Sequence, residues 1–151
     1  LLNYAEAMYE LGTTGKALDD ALNISLNLVR LRVNPDMPKL TTSFASENSL
    51  NMREEIRRER TIELYNEGFR VDDLKRWNTA IVEMPKPILG VKWTGTDFAT
   101  SWAGASNMAK DSDGCLILEN SRRWGSKNDL YPLPVDQCQL NPNLGQNPGW
   151  Q

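Results

Sequence analysis

The segment from about residue 50 to 67 restricts the fold more than any other. It opens Asn51-Met52-Arg53-Glu54 and continues through Arg57-Arg58-Glu59-Arg60. Asn48 or Ser49 ahead of it and Gly68 behind it suit the two ends of a helix. On a helical wheel, Met52, Arg60, Glu63 and Glu67 all fall within about 40° of Ile56. Ile62, Leu64 and Tyr65 scatter to other faces. A helix with one wet side and one apolar side does not sort its residues in this way. The pattern predicts a helix packed on several sides, with charged groups drawn inward, and buried charges must be paired. Arg60, Glu63, Glu67 and Arg70, joined by Arg76, are therefore expected to form a structural ion network. A solvated run laced by i, i+4 pairs such as Glu54–Arg58 is the plainer alternative.

The flanking segments change character along the chain. Residues 1–33 read as two helices. The first carries a stripe of Leu1, Ala5, Met8 and Gly12, widened by Tyr4 and Leu11. Gly12 and Gly15 bracket a turn, and the second helix carries Ala17, Ala21, Ile24 and Leu28 with Leu18, Leu22, Val29 and Leu31. The pair is similar to one tetratricopeptide-type hairpin, which needs a neighbour to cover its second face. Asn34-Pro35 and Pro38 end it, and 34–48 reads as a polar loop. A short helix from Val71 to Asn78 ends in Lys75-Arg76-Trp77. From 79 to 116, prolines and glycines break every period, so this reads as one long loop, with a short strand at Cys115–Leu118. The tail, 130–151, is Pro- and Asn-rich and predicts an extended segment laid across the helices, with one helical turn around Val135–Gln139. The expected fold class is mainly α: a helical hairpin, a signature helix pair at 50–78, a loop-rich segment and an extended tail.

Composition removes several chemistries. The chain has 151 residues, a size suited to one domain. It has no histidine, which excludes His-dependent triads and His-ligated metals. A net charge of −3 argues against nucleic-acid binding. No run approaches the roughly 20 apolar residues of a membrane span, and the first residues carry no signal-peptide pattern. Cys115 and Cys138 fit no zinc spacing, and sequence leaves open whether they pair or stay free. Asp111-Ser112-Asp113-Gly114 looks like the start of a calcium loop, but the bidentate acid such a loop needs falls on Arg122. No cofactor is expected, and calcium held in a loop of another type is the one metal left open, without a ligand pattern to support it.

Three motifs occur in order. The run Arg57-Arg58-Glu59-Arg60-x-Ile62-Glu63-Leu64-x-x-Glu67-Gly68-x-Arg70-x-x-Asp73-Leu74-x-Arg76-Trp77 resembles the signature helix pair of the SusD/RagB family. The closing Leu130-Tyr131-Pro132-Leu133-Pro134 and Asn141-Pro142-Asn143-Leu144-Gly145-Gln146-Asn147-Pro148-Gly149-Trp150 resemble that family's C-terminal sequence. Tyr4-Ala5-Glu6-Ala7 with Leu11-Gly12 is similar to its last tetratricopeptide-like hairpin. The resemblance implies a non-catalytic surface lipoprotein of the outer membrane. Such a protein captures oligosaccharides, or in some members peptides, and passes them to a TonB-dependent transporter of the SusC type. Family members begin with a lipobox cysteine and an N-terminal half that have no counterpart here. The chain is therefore expected to be the C-terminal part, 1–151, of a single SusD-like domain, with its lipid anchor upstream.

Sugar recognition uses flat apolar faces against pyranose C–H groups and two-pronged polar partners for neighbouring hydroxyls. Trp93 and Trp102, with Asp97 and Asn107, are the glycan-binding candidates on the long loop. Ser101 and Asp113 are further polar neighbours. The competing reading is that these tryptophans pin the loop to its scaffold. Trp77 and Trp150 are expected to be packing anchors. Glu59, Glu63 and Glu67 form a carboxylate ladder along one helix. A glycosidase needs two carboxyl groups flanking a sugar, so no catalytic residue is assigned. The alternative function is a tetratricopeptide-like protein-interaction scaffold with no small-molecule site.

Overall fold

The computed structural model describes residues 1–150. They form two compact units, Leu1–Arg70 and Val71–Gln151, and the architecture is mainly helical with one small sheet.

The first unit contains α1 (Leu2–Glu10), α2 (Gly15–Asn23), α3 (Leu26–Val33), α4 (Thr42–Glu47) and α5 (Met52–Glu63). Residues 1–33 therefore make three helices, where the sequence pattern suggested two. The break is at Ser25, which is fully buried and leaves the helical region at φ −135°, ψ −93°. Its hydroxyl donates to the Ala21 carbonyl at 2.5 Å and its amide to Leu22 at 3.2 Å. A serine that satisfies itself on the preceding turn competes with helix continuation. The α1 stripe also sits one residue further on than expected. Leu2, Ala5 and Glu6 are buried, whereas Leu1, Tyr4 and Leu11 are exposed.

Leu2, Ala5, Leu18, Leu22, Leu26, Leu40 and Ile56 make one apolar core, with Tyr9, Phe44 and Met52 packed against it. Leu40 enters it from the segment read as a loop, held by a buried side chain. Asn27 donates from Nδ2 to the Leu40 carbonyl at 2.9 Å and accepts the Leu40 amide on Oδ1 at 2.8 Å. That segment also contains α4, whose N-cap Thr41 accepts the Phe44 amide at 3.1 Å. Asn51 caps α5 in the same way, accepting the amides of Arg53 and Glu54. α5 stops at Glu63, short of the expected 67, and Asn66 and Gly68 take positive φ in the turn beyond.

Charges do lie on the inner face of α5. Ile56, Glu59 and Arg60 are buried, while Ile62 and Tyr65 are exposed. Glu59 faces Arg30 of α3, with Arg30 Nε 3.5 Å from Glu59 Oε2 and both side chains under 10% exposed. Leu26, one turn before Arg30 on α3, is completely buried. Burial pushes the Glu59 carboxyl above its ordinary range, against the opposing pull of Arg30.

In the second unit, α6 (Arg70–Arg76) buries Asp73 and Leu74, and Arg76 Nε donates to Asp73 Oδ1 at 2.9 Å. α7 (Ala80–Glu83), β1 (Ile88–Lys92), α8 (Phe98–Ser101), β2 (Cys115–Glu119) and α9 (Val135–Leu140) follow. The stretch 79–116 is thus not one structureless loop. β1 pairs antiparallel with β2, Leu89 opposite Ile117 and Lys92 opposite Cys115, with irregular register between the pairs. β1 is short, follows a proline and finds its partner more than 20 residues later, so no local alternation reveals it. The tail is extended around α9. Leu133 exchanges two hydrogen bonds with the Gln146 side chain at 2.7 and 2.8 Å. The Trp150 indole donates to the carbonyls of Lys127 and Leu130. Lys75 of α6 lies 4.1 Å from the Tyr131 ring centre and 5.6 Å from that of Trp124. Cys115 and Cys138 are free thiols. Among the described residues no helix is long and apolar enough to cross a membrane.

Asn27→Ala leaves both backbone groups of Leu40 unpaired in the core, so urea denaturation should show a loss of about 2 kcal/mol. Glu59→Leu strands the Arg30 charge and should cost about 3 kcal/mol, most of it recovered in the Arg30→Met/Glu59→Leu double variant. Because folding favours the protonated Glu59, its contribution is complete below the ordinary carboxylate value near 4.5 and declines as pH rises through the raised value. The stability of the native chain relative to Glu59→Gln should therefore fall as pH rises from the ordinary carboxylate value through the raised one, measured by denaturation at each pH.

Candidate functional site

The segment between β1 and β2 is closed at its base. Trp93 donates its amide to the Gly114 carbonyl at 2.8 Å, and Thr94 does so at 3.1 Å. Gly114 has φ +81°, and a Cβ there would meet Thr94 Cβ at 2.5 Å, so this approach requires glycine. Trp93 is 5% exposed. Lys110 stands 5.8 Å from its ring centre and donates to the carbonyls of Ser106 and Met108. Trp93 therefore has the surroundings of an anchor for the segment.

Trp102 differs, being 64% exposed just beyond α8. Phe98, four residues earlier, is 49% exposed. The Trp102 amide donates to the Phe98 carbonyl at 3.0 Å, which closes the single turn between them. The backbone that carries them is tightened locally, since the Thr100 and Ser101 hydroxyls both donate to the Asp97 carbonyl, at 2.9 and 2.8 Å. The Asp97 side chain is exposed at the start of α8, and Asn107 is exposed further along the segment. Asp97, Phe98 and Trp102 thus stand exposed on one short stretch of backbone, while Trp93 is buried. Phe98 was missed by the sequence reading. Its signal was the four-residue spacing to Trp102 within a Thr-, Ser- and Gly-rich stretch. Two exposed rings offer C–H-facing apolar surface, and a carboxylate and an amide offer hydrogen-bond partners for hydroxyls.

The ion-network candidates occupy varied settings. Arg60 is 8% exposed; its Nη1 donates to Asn3 Oδ1 at 2.6 Å, and its guanidinium lies 5.9 Å from the Phe69 ring centre. Glu63 accepts from Arg32 at 3.0 Å. Arg70 donates to the Thr61 hydroxyl at 2.8 Å, and Glu67 and Arg70 both stand at the surface. Arg76 pairs with Asp73. Arg30 was not among the expected members, because nothing local to α3 signals a partner 29 positions away. The three carboxylates of the ladder meet different environments: Glu59 faces Arg30, Glu63 faces Arg32, and Glu67 is exposed. Asp111 uses Oδ1 to accept the amides of Asp113 and Cys115. Among the described residues no group of three or more metal-ligating side chains gathers.

The family model of the SusD family matches residues 1–150. A SusD-like carbohydrate binding protein from Bacteroides fragilis is 28% identical, with a TM-score of 0.68 over 95% of this chain and 26% of that one. A second SusD-like protein from the same organism is 27% identical, with a TM-score of 0.64 over 98% of this chain and 24% of that one. The chain thus spans about a quarter of the length of these structures. No curated relative matches it. With a mainly helical fold, these structural relatives and a family match across nearly its whole length, the chain belongs to the SusD family.

Proposed function

We propose that the chain is part of a non-catalytic, surface-exposed glycan-binding protein, and that the Phe98–Trp102 pair is its oligosaccharide platform. Asp97 and Asn107 supply polar contacts on this reading. The observation that carries it is the exposure of two aromatic rings four residues apart on a polar segment of a SusD-family chain. The helices supply rigidity rather than chemistry. Sites of this kind bind weakly, because hydrated hydroxyls exchange one set of hydrogen bonds for another. The captured oligosaccharide passes to a TonB-dependent SusC-type transporter, on the extracellular face of the outer membrane, where a lipid anchor upstream of this chain holds the protein. Arg60, Glu63, Glu67, Arg70 and Arg76 act as a structural charge network in this proposal.

Calorimetry against an oligosaccharide panel tests the reading. Phe98→Ala and Trp102→Ala should each weaken binding by about 1–3 kcal/mol, without a comparable loss of stability. Trp93→Ala should instead lower stability by about 3 kcal/mol, because it empties a buried site. Unchanged affinity in the Phe98/Trp102 double variant rejects the platform. Tight binding to a polypeptide with no oligosaccharide bound would favour an interaction scaffold.

A further inference from the structure

The first unit contains a concavity of about 300 Å³ beside the α1–α2 turn. Its floor includes Leu18 and Ala45, which are 2% and 4% exposed. Tyr9 and Leu50 also border it, and the hydroxyl-bearing residues Thr13, Thr14 and Ser46 belong to its lining. None of the residues lining it carries a formal charge. An ionic ligand would lose hydration here without meeting a counter-charge. A purely apolar ligand would strip water from the hydroxyls and give nothing back. Each hydroxyl both donates and accepts, as a polyol does, and the leucine, alanine and tyrosine surfaces suit C–H faces. The volume is at the lower end of the range for small-molecule sites, about 300–1,000 Å³, so a single ring-sized unit fits.

The walls are also held in place from outside. The Arg53 guanidinium lies 5.4 Å from the Tyr9 ring centre and donates twice to Glu10, at 2.9 Å each. Neither charged group lines the concavity. Asp19 accepts the Thr42 amide and hydroxyl at 2.7 and 3.0 Å, which fixes the start of α4 and with it Ala45 and Ser46. A site whose walls need no ordering on binding keeps more of its contact energy.

We infer that this concavity is a second ligand site, which takes one neutral sugar unit. It shares only the ligand class with the reading above, since the residues are different. The test is an NMR titration of the chain with methyl glycosides of glucose, galactose, mannose and xylose, and with glucuronate. The expected result is that at least one neutral glycoside shifts the amides of Thr13, Thr14 and Ser46 with millimolar affinity and glucuronate does not. Ser46→Trp, which fills the space from an exposed position, should weaken that binding at least tenfold. Trp102→Ala should leave it unchanged. Thr14→Phe is the second blocking variant, and circular dichroism checks that each is folded. The inference is overturned if no neutral glycoside moves these amides, if glucuronate moves them equally, or if both folded blocking variants still bind. Sugar binding lost in Trp102→Ala alone would sink this site and leave the α8 platform standing. Binding here with none at α8 would do the reverse.

Discussion

The buried pair of Arg30 and Glu59 is the constraint around which the first unit is organised. Neither charge tolerates the interior alone, so α3 and α5 must meet in the one register that brings guanidinium and carboxylate together. Desolvation makes the pair a weak source of net stability. Its contribution is better described as selection among packings, because a helix rotated by one residue would leave an ion without its counter-ion. Once α5 is placed, it reaches α1 at both ends, through Arg60 to Asn3 and through Arg53 to Glu10. The second contact is exposed and contributes little by itself. The leucine-rich interior then closes over groups already in position.

In the second unit, hydrogen bonds do more of this work, because few large side chains are fully buried there. The tail is fastened at successive points, by Gln146 to the Leu133 backbone and by the Trp150 indole to two carbonyls. Lys75 against two aromatic rings adds a contact that needs no acidic partner. The strand pair plays the same part for the segment that carries Phe98 and Trp102.

How much of this was legible in the sequence depends on how local each signal is. The charged helix and the mainly helical class follow from spacing, since the residues that decide them are neighbours. The split between α2 and α3 was not legible. Ser25 has a helix-compatible neighbourhood, and its break depends on a hydroxyl bond back to Ala21. Arg30 was missed for a related reason, as its partner comes from a distant helix. β1 was missed because five residues after a proline carry too little pattern, and its partner lies beyond a long excursion. At the site, sequence distinguished tryptophans from their surroundings but could not say which was exposed. Trp93 and Trp102 look alike on paper, and only the pairing of β1 with β2 separates them.

The closure of Trp93 and Thr94 onto Gly114 has a consequence for how such a chain can vary. Once the neck is tied, and 109–111 are bonded back onto β2, the turn that carries Phe98 and Trp102 sits on a closed excursion. The entropic cost of lengthening a closed excursion grows only logarithmically, by about 0.6 kcal/mol for each doubling. New aromatic or polar tips can therefore be traded in and out between the same two strands while the scaffold stays as it is, which separates the evolution of selectivity from that of foldability.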